Sequence, residues 1–250
     1  MQVHKLLMSV ATAGLLAAGA ALAATGAGLV TDGDFSVAKS SGELRVDAKG
    51  PDWYESRRDG VGRKLLLLSK KTIVGNATPK ALIRGNTKVN TYLSQRFAPA
   101  PQGDFTVQYD ILVKEILQPA NRSAFFMVGN STDKKGGPKS TGSERFVFLG
   151  FENGSAGKIN LFARPGKADW AQKKIIVTDL DLNKWYTVEV RIHAASGSYD
   201  VVVKGVTATP VTVDAFAPTG KPPKQLTHLS FASWNDGPGT FYVDNVVVQD

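Results

Sequence analysis

The sequence predicts an all-β fold for the mature chain, a two-sheet antiparallel sandwich. Three observations predict it: apolar residues recur with a period of two from about residue 105 onward, turn residues separate the runs, and amphipathic helices are missing. In residues 104–114, for example, Phe105 and Val107 alternate with Thr106 and Gln108. Because successive side chains of a strand point to opposite faces, this alternation is typical of strands with one buried face. Short strands without interleaved helices favour a sandwich or a barrel.

The predicted strands follow one another along the mature chain. Turn chemistry separates them, as in Glu152-Asn-Gly154 and in residues 235–239, Asn-Asp-Gly-Pro-Gly. Residues 207–225 are rich in Pro and Thr, and we interpret them as a long surface connection. The predicted strands are 44–48, 65–68, 81–83, 92–97, 104–114, 123–128, 145–152, 158–164, 174–177, 185–194, 199–204, 227–234 and 240–248.

Residues 1–23 are predicted to be a secretory signal peptide. Lys5 precedes an apolar run, and Ala21 and Ala23 supply the small residues that signal peptidase requires. A retained transmembrane anchor is the alternative, although many Ala and Gly residues weaken the run as a membrane helix. We therefore expect cleavage after Ala23 and a secreted, periplasmic or cell-envelope protein. The mature chain is not expected to span a membrane.

Residues 24–250 are predicted to form a single β-sandwich domain. Residues 98–103, Ala-Pro-Ala-Pro-Gln-Gly, resemble a linker between two domains. The region before them, however, has too few apolar residues for a core of its own. We therefore favour one domain over two.

Composition restricts the chemistry of the chain. It has no cysteine, which excludes thiol catalysis, Cys-ligated zinc and a disulfide framework. The formal net charge of +8 suits an anionic partner such as an acidic polysaccharide. The charges are scattered, and nothing resembles a nucleic-acid-binding helix or strand, so nucleic acid is not predicted as a partner.

Two stretches of the C-terminal half have a pattern of paired strands. Residues 180–205 begin Leu-Asp-Leu-Asn-Lys-Trp-Tyr-Thr-Val-Glu-Val, and residues 229–248 run from Leu-Ser-Phe-Ala-Ser-Trp to Gly-Thr-Phe-Tyr-Val-Asp-Asn. Together they resemble the concanavalin A-like lectin/glucanase group, the LamG-type jelly rolls, over about residues 104–250. The resemblance implies two stacked sheets with the last strand near residues 34–36. Relatives bind glycans on one sheet or its rim loops, and some cleave polysaccharide there, but a shared fold does not transfer function.

The aromatic residues favour a non-catalytic protein that binds a polysaccharide or a cell-surface glycan. Trp234 ends a predicted strand and is followed by Asn235 and Asp236, whose polar groups suit sugar hydroxyls. Trp53 and Tyr54 form a second candidate pair, because an aromatic face stacks on the apolar face of a pyranose. The alternative for Trp234 is that it caps the edge of the sandwich.

A polysaccharide-active enzyme is the second hypothesis. The pattern Glu-x-Asp-x-x-Glu of the group's retaining glucanases does not occur, which argues against a hydrolase of that kind. A lyase needs a Tyr or His to move a proton, and Arg or Gln to stabilise the substrate carboxylate. The candidates are Tyr54, Arg57, Arg58, Gln95 and His193, although neither motif of the alginate lyases with this fold, Arg-(Ser/Thr)-Glu-(Leu/Val)-Arg or Gln-(Ile/Val)-His, is present. The alternative for Arg57 and Arg58 is that both are solvated and pair with Glu55 or Asp59.

The resemblance also implies a structural Ca²⁺ between the first and last strands. Asp244 matches the position of the Asp ligand in that group, and Asp34 lies where its early partner belongs. The alternative is that both are exposed acids at strand ends.

Overall fold

The structure, a computed structural model, describes residues 28–45, 52–56, 65–131, 137–138, 144–166, 169–217 and 223–250. The predicted signal segment, Arg57 and Arg58 lie outside the described residues. The strands are β1 (Tyr54–Glu55), β2 (Leu66–Ser69), β3 (Lys80–Arg84), β4 (Thr91–Arg96), β5 (Phe105–Ile116), β6 (Arg122–Gly129), β7 (Arg145–Asn153), β8 (Lys158–Ala163), β9 (Lys174–Asp181), β10 (Trp185–His193), β11 (Ser198–Val203), β12 (Val211–Asp214), β13 (His228–Ser233) and β14 (Gly239–Gln249).

Two seven-stranded antiparallel sheets form a jelly-roll sandwich. Sheet I has the order β1-β4-β13-β6-β7-β8-β9, and sheet II has the order β12-β11-β10-β5-β14-β3-β2. β4 and β5 are consecutive in the chain yet lie in different sheets, as do β12 and β13. The fold class predicted from the sequence is therefore confirmed. No helix among the described residues is long and apolar enough to cross a membrane.

Strand alternation explains the core. In β5 every second residue from Phe105 to Ile111 is buried, while Thr106 and Gln108 are only partly buried. The inward residues of β5 and β10 in sheet II pack against inward residues of sheet I such as Phe126 and Phe231. Burial of these apolar side chains between two sheets is the main source of stability in such a sandwich.

The N-terminal segment lies beside β14, the last strand. Leu29 N donates to Val248 O at 3.1 Å, and Val246 N donates to Gly33 O at 2.8 Å. A Cβ atom on Gly33 would lie 1.8 Å from Val246 O, so this close approach of two backbones requires glycine. The predicted neighbourhood of the last strand and the segment around residues 34–36 is confirmed.

Two predicted elements are corrected. Leu44 lies in a 3-10 helix, Glu43–Arg45, and not in a strand, and its buried side chain joins the core from that turn. The predicted surface connection 207–225 contains β12, an edge strand of sheet II paired with β11. β12 forms because Val211 and Val213 face the sandwich while Thr212 is exposed.

Candidate functional site

The candidate site lies on the outer face of sheet I, the face turned away from sheet II. β13 shows how the sequence builds this face, because its residues alternate between the core and the outside. Leu229 and Phe231 join the core, whereas Ser230 and Ala232 lie on the outer face. This arrangement follows from the alternation of side chains along a strand.

Aromatic rings and arginine side chains form a cluster on this outer face, separate from the core between the sheets. β6, β7 and β8, neighbours in sheet I, supply most of them, and the segments that follow β8, β12 and β13 supply the others. We call this group the aromatic–arginine cluster. Its members are Arg122, Phe125, Arg145, Phe148, Phe162, Arg164, Trp170, Phe216 and Trp234.

Trp234 is a packed member of this cluster. Its ring lies 4.0 Å from that of Phe125, with 29° between the planes, and 5.5 Å from that of Phe148. The Trp170 ring meets it edge-on at 6.0 Å. Only 6% of Trp234 is exposed. Trp234 is therefore a packed residue, as in the alternative prediction that it caps the sandwich, and not an exposed one. Asn235 and Asp236 follow it at the edge of the cluster.

The three arginines stack on the rings. The Arg122 guanidinium carbon lies 3.7 Å from the centre of the Trp170 ring, and that of Arg164 lies 4.1 Å from the same ring. The Arg145 guanidinium lies 4.5 Å from the Phe148 ring and 4.2 Å from the Phe216 ring. Such contacts are attractive because a cation faces the negative face of an aromatic ring.

Each arginine of the cluster has a carboxylate in its surroundings: Asp236 and Glu152 near Arg122, Glu144 near Arg145, and Asp169 near Arg164. Arg122 forms an ion pair with Asp236 at 3.6 Å, and the Asp236 side chain is 52% exposed. Burial lowers the pKa of Arg122 and of Arg164. Burial and the neighbouring Arg164 charge lower the pKa of Arg145 to about 9. Each shift has the same physical meaning: the surroundings disfavour the cation, and an added anion would stabilise it.

Arg145 has unsatisfied hydrogen-bond donors. Only 2% of this residue is exposed, and its Nε and Nη1 atoms donate to no acceptor within the part of the chain that the structure describes. Buried charged donors without acceptors are costly, and in native proteins they often mark the place of a ligand. A carboxylate matches the planar donor geometry of a guanidinium group.

The middle of the outer face is covered by the chain itself. Ser94 Oγ lies 2.6 Å from Ser230 Oγ and donates to Ser56 Oγ at 2.8 Å, which forms a row of hydroxyl groups across three strands. A Cβ atom on Gly137 would lie 2.5 Å from both Ser94 Oγ and Ser230 Oγ, so the backbone of Gly137 rests on this row. The open part of the face is therefore the edge of the cluster, where the Arg122 side chain is 20% exposed.

Three solved structures share the fold. A GH131 β-glucanase catalytic domain from Podospora anserina matches with a TM-score of 0.54 at 14% identity, over 90% of this chain and 96% of that one. An alginate lyase from Klebsiella pneumoniae matches with a TM-score of 0.51 at 10% identity, over 74% of this chain and 84% of that one. A sialidase matches with a TM-score of 0.53 at 14% identity, over 87% of this chain but only 18% of that one.

At these identities the matches show the jelly-roll fold, and they leave the activity to be argued from the residues. The chain spans less than a fifth of the sialidase's length. No protein-family model matches the chain, and no curated protein matches it in sequence.

The predicted ligand-contact residues fall into two groups. Trp234 and Asp236 contact members of the aromatic–arginine cluster, and Asn235 N is held by Asn90 Oδ1 at 2.8 Å beside them. Trp53 is corrected to a core residue: it is 3% exposed, and its ring packs 5.2 Å from that of Phe35 in the core.

Tyr54 lies in β1 opposite Ser94, on the outer face of sheet I, and is also buried. Alternation places Trp53 and Tyr54 on opposite faces of the same strand, so the two side chains do not form one binding pair.

The predicted lyase residues do not come together. Gln95 faces the N-terminal segment, where its amide bonds both backbone groups of Thr31 at 2.8 Å. His193 lies in β10 of sheet II, between Asp104 at 3.3 Å and Asp200 at 3.2 Å. Because Gln95 points away from the outer face of sheet I and His193 lies on another sheet, Tyr54 has neither beside it. Arg57 and Arg58 lie outside the described residues.

A different set of ionisable groups lies on the outer face of sheet I. His228 of β13 is paired with Arg96 of β4 on one side and with Gly129 of β6 on the other. Gly129 is in turn paired with Arg145 of β7. Tyr92 lies close enough to Arg145 to interact with its charge. These residues were not predicted as a site from the sequence. The i, i+2 spacing of His228 and Ser230 indicates only that these two side chains share one face of β13.

The cluster arginines were missed as well, because strand alternation does not predict their position. Arg122 and Arg145 each begin a strand and each precede a phenylalanine by three residues, as Arg-Ser-Ala-Phe125 and Arg-Phe-Val-Phe148. Residues three apart face opposite sides of a regular strand, but the pairing of β6 with β7 shifts register between residues 123 and 126 and between residues 128 and 129, next to these pairs.

The predicted calcium ligands are not brought to one site. Asp34 is exposed, and its Oδ1 accepts from Ser36 N at 3.1 Å. Asp244 is fully buried, and its carboxylate accepts from Asn76 Nδ2 at 2.8 Å and Thr78 Oγ1 at 2.6 Å. Among the described residues, no group of three or more His, Cys, Asp or Glu side chains is placed to hold a metal ion. The acceptor groups near Asp244 are occupied by the buried side chain of Lys80.

Proposed function

We propose that this protein binds an acidic polysaccharide at the edge of the aromatic–arginine cluster. The observation that carries the proposal is the stack of three guanidinium groups on aromatic rings, in which Arg145 retains donors without an acceptor among the described residues. A carboxylate on the polysaccharide would accept charge-assisted hydrogen bonds from the exposed part of Arg122 at the edge of the cluster and would favour the charged form of the arginines behind it.

The edge of the cluster supports this type of ligand chemically. Arg122 and Trp170 are partly exposed there, so a uronate could place its carboxylate on the guanidinium and its ring beside the indole. The Arg122–Asp236 pair is a weak competitor, because it is 3.6 Å long and half of the acid is in solvent. The positive net charge of the chain also supports attraction of a polyanion.

A polysaccharide lyase is the second candidate function. The observation that favours it is the presence of Tyr92, His228 and Arg145 on the same outer face. Elimination from a uronate needs a base for the proton at C5 and a cation that stabilises the carboxylate. These residue types match both roles, but Gly137 covers the neighbouring Ser94 and Ser230, which favours binding at the edge over catalysis at the centre.

One binding experiment tests the first proposal. We expect Arg122→Gln to weaken binding to polygalacturonate about tenfold or more, because a charge-assisted hydrogen bond contributes about 1.5–3 kcal/mol. Arg191→Gln is the matched control, because it removes the same charge at a distant position. Arg191 lies on sheet II and forms an ion pair with Glu189. Equal losses in the two variants would indicate attraction by net charge alone and would contradict the proposed site.

An activity assay separates the two functions. If the protein only binds, polygalacturonate and alginate incubated with it gain no ultraviolet absorbance from unsaturated uronates. Absorbance that rises with the wild type and is abolished in His228→Ala would establish the lyase instead.

A further inference from the structure

The segment Lys71–Pro79 covers part of the outer face of sheet II. It packs Ile73 over a small apolar cluster that contains Leu82, Leu112 and Tyr242. Lys80, the first residue of β3, follows this segment and is fully buried despite its charge. A fully buried lysine requires a specific arrangement that satisfies its ammonium group.

That arrangement consists of backbone carbonyl groups. Lys80 Nζ donates to Lys71 O at 3.1 Å, to Asn76 O at 3.1 Å and to Thr78 O. Three carbonyl acceptors require three N–H donors, and only the protonated amine has three. Lys80 is therefore an ammonium ion in this site. Burial lowers the pKa of Lys80, while the charge of Asp244 acts in the opposite direction.

Asp244 supplies the negative charge of the same site. Its carboxylate accepts hydrogen bonds from Asn76 Nδ2 and Thr78 Oγ1, and also from Asn245 N at 2.8 Å. Asn76 and Thr78 thus use their side chains for Asp244 and their carbonyl oxygens for Lys80. Burial raises the pKa of Asp244, and these three donors together with the Lys80 charge lower it.

Further contacts fix the carbonyl groups in place. Ile73 N donates to Asn76 O at 2.9 Å, and Asn76 N donates to Ile73 O at 3.1 Å, which closes a tight turn. Trp185 Nε1 donates to Ile73 O at 2.9 Å and ties this turn to sheet II. The oxygen atoms around Lys80 are thus held in a preformed cage, as the ligands of a bound metal ion are.

We propose that the segment 71–79 and Asp244 form a cation site whose resident cation is the ammonium group of Lys80. Three carbonyl oxygens and one carboxylate are the type of donor set that Ca²⁺ prefers. Here an internal cation already takes up the three carbonyl oxygens and interacts with the Asp244 charge, so the protein folds and stays folded without a divalent metal at Asp244. A substitution that removes the Lys80 ammonium group and leaves its space empty therefore converts the cage into a site for an external cation.

The wild-type protein gives the first arm of the test. We expect the same melting temperature in EDTA and in millimolar Ca²⁺. A rise of more than about 2 °C with Ca²⁺, roughly the effect of 1 kcal/mol in a domain of this size, would overturn the proposal.

Two variants give the second arm. Lys80→Ala leaves Asp244 buried without its cation, and we expect its melting temperature in EDTA to fall by about 6 °C or more. Ca²⁺ should recover much of this loss in Lys80→Ala but not in Lys80→Met, whose side chain still fills the space. Lys88→Ala is the control, because Lys88 is exposed in a turn, and it should melt like the wild type.

Every outcome of the second arm is decisive. A Lys80→Ala protein that melts like the wild type in EDTA, or that responds to Ca²⁺ no more than Lys80→Met, would overturn the proposal. If Lys80→Ala is unfolded in EDTA, the proposal requires Ca²⁺ to restore its folded circular-dichroism spectrum, and a spectrum that stays unfolded would refute it.

Discussion

Replacement of Trp234 by alanine distinguishes a packed residue from an exposed ligand contact. The structure predicts that Trp234→Ala destabilises the fold. The indole is 6% exposed and packs against three other rings, those of Phe125, Phe148 and Trp170. Truncation of a buried tryptophan to alanine costs about 3–5 kcal/mol, because apolar burial is lost and a cavity remains. For a domain of this size, that corresponds to a fall in melting temperature of roughly 6–20 °C.

Trp234→Phe is the matched variant. Trp234 Nε1 has no hydrogen-bond partner in the described part of the chain, so phenylalanine forfeits no such bond and keeps a ring on Phe125. We expect it to lose about half as much stability as alanine does, or less. Thermal melts followed by near-ultraviolet circular dichroism measure both. If Trp234→Ala melts within about 2 °C of the wild type, the packing argument is refuted.

Two further predictions concern pH and backbone packing. Asp200 and Asp104 raise the pKa of His193, so this histidine stabilises the fold below its unfolded pKa of about 6.5 and loses that effect as pH rises through the raised folded value. The urea midpoint of the wild type should therefore exceed that of His193→Gln by more at about pH 5.5 than at about pH 8.5, and an unchanged difference would contradict the ion pairs. Gly33→Ala should lower the melting temperature strongly, because the new Cβ atom would meet Val246 O. Gly103→Ala is the control and should leave the melting temperature nearly unchanged, because open space surrounds Gly103. Equal melting temperatures for the two variants would argue against the packing of the N-terminal segment on β14.

Most of the fold could be predicted from the sequence because period-two alternation follows directly from strand geometry. The buried residues Phe105 and Val107 of β5 were recognised in this way. Alternation failed where the chain departs from regular strands. Leu44 is buried from a 3-10 turn, and β12 lies in a stretch whose Pro and Thr content obscured the alternation of Val211 and Val213.

The candidate site was only partly predictable, because it depends on which strands become neighbours. Trp234 and Asp236 were identified from their position after a strand, and both contact the aromatic–arginine cluster. Phe148 and Phe162 lie on the outer face of sheet I, whereas Phe146 lies in the core between the sheets. Both faces of β7 are apolar, so composition alone does not show which residues face the other sheet.

The Lys80 cage illustrates a second limit of sequence reasoning. Its acceptors are backbone carbonyl groups, which every residue has, so no pattern of side chains announces them. Of the residues in this site only Asp244 was identified from the sequence, as one of the two Ca²⁺ ligands that the family resemblance implied. The buried lysine that takes up these carbonyl oxygens could be recognised only in three dimensions.

Recognition of carboxylate groups by the aromatic–arginine cluster can be tested by titrating the wild-type protein with polygalacturonate and with its fully methyl-esterified form. The two polymers share a backbone and differ in charge. We expect saturable binding to the acid and binding to the ester that is at least about tenfold weaker, a difference of about 1.4 kcal/mol. Equal affinity for the two polymers, or no binding to either, would contradict carboxylate recognition.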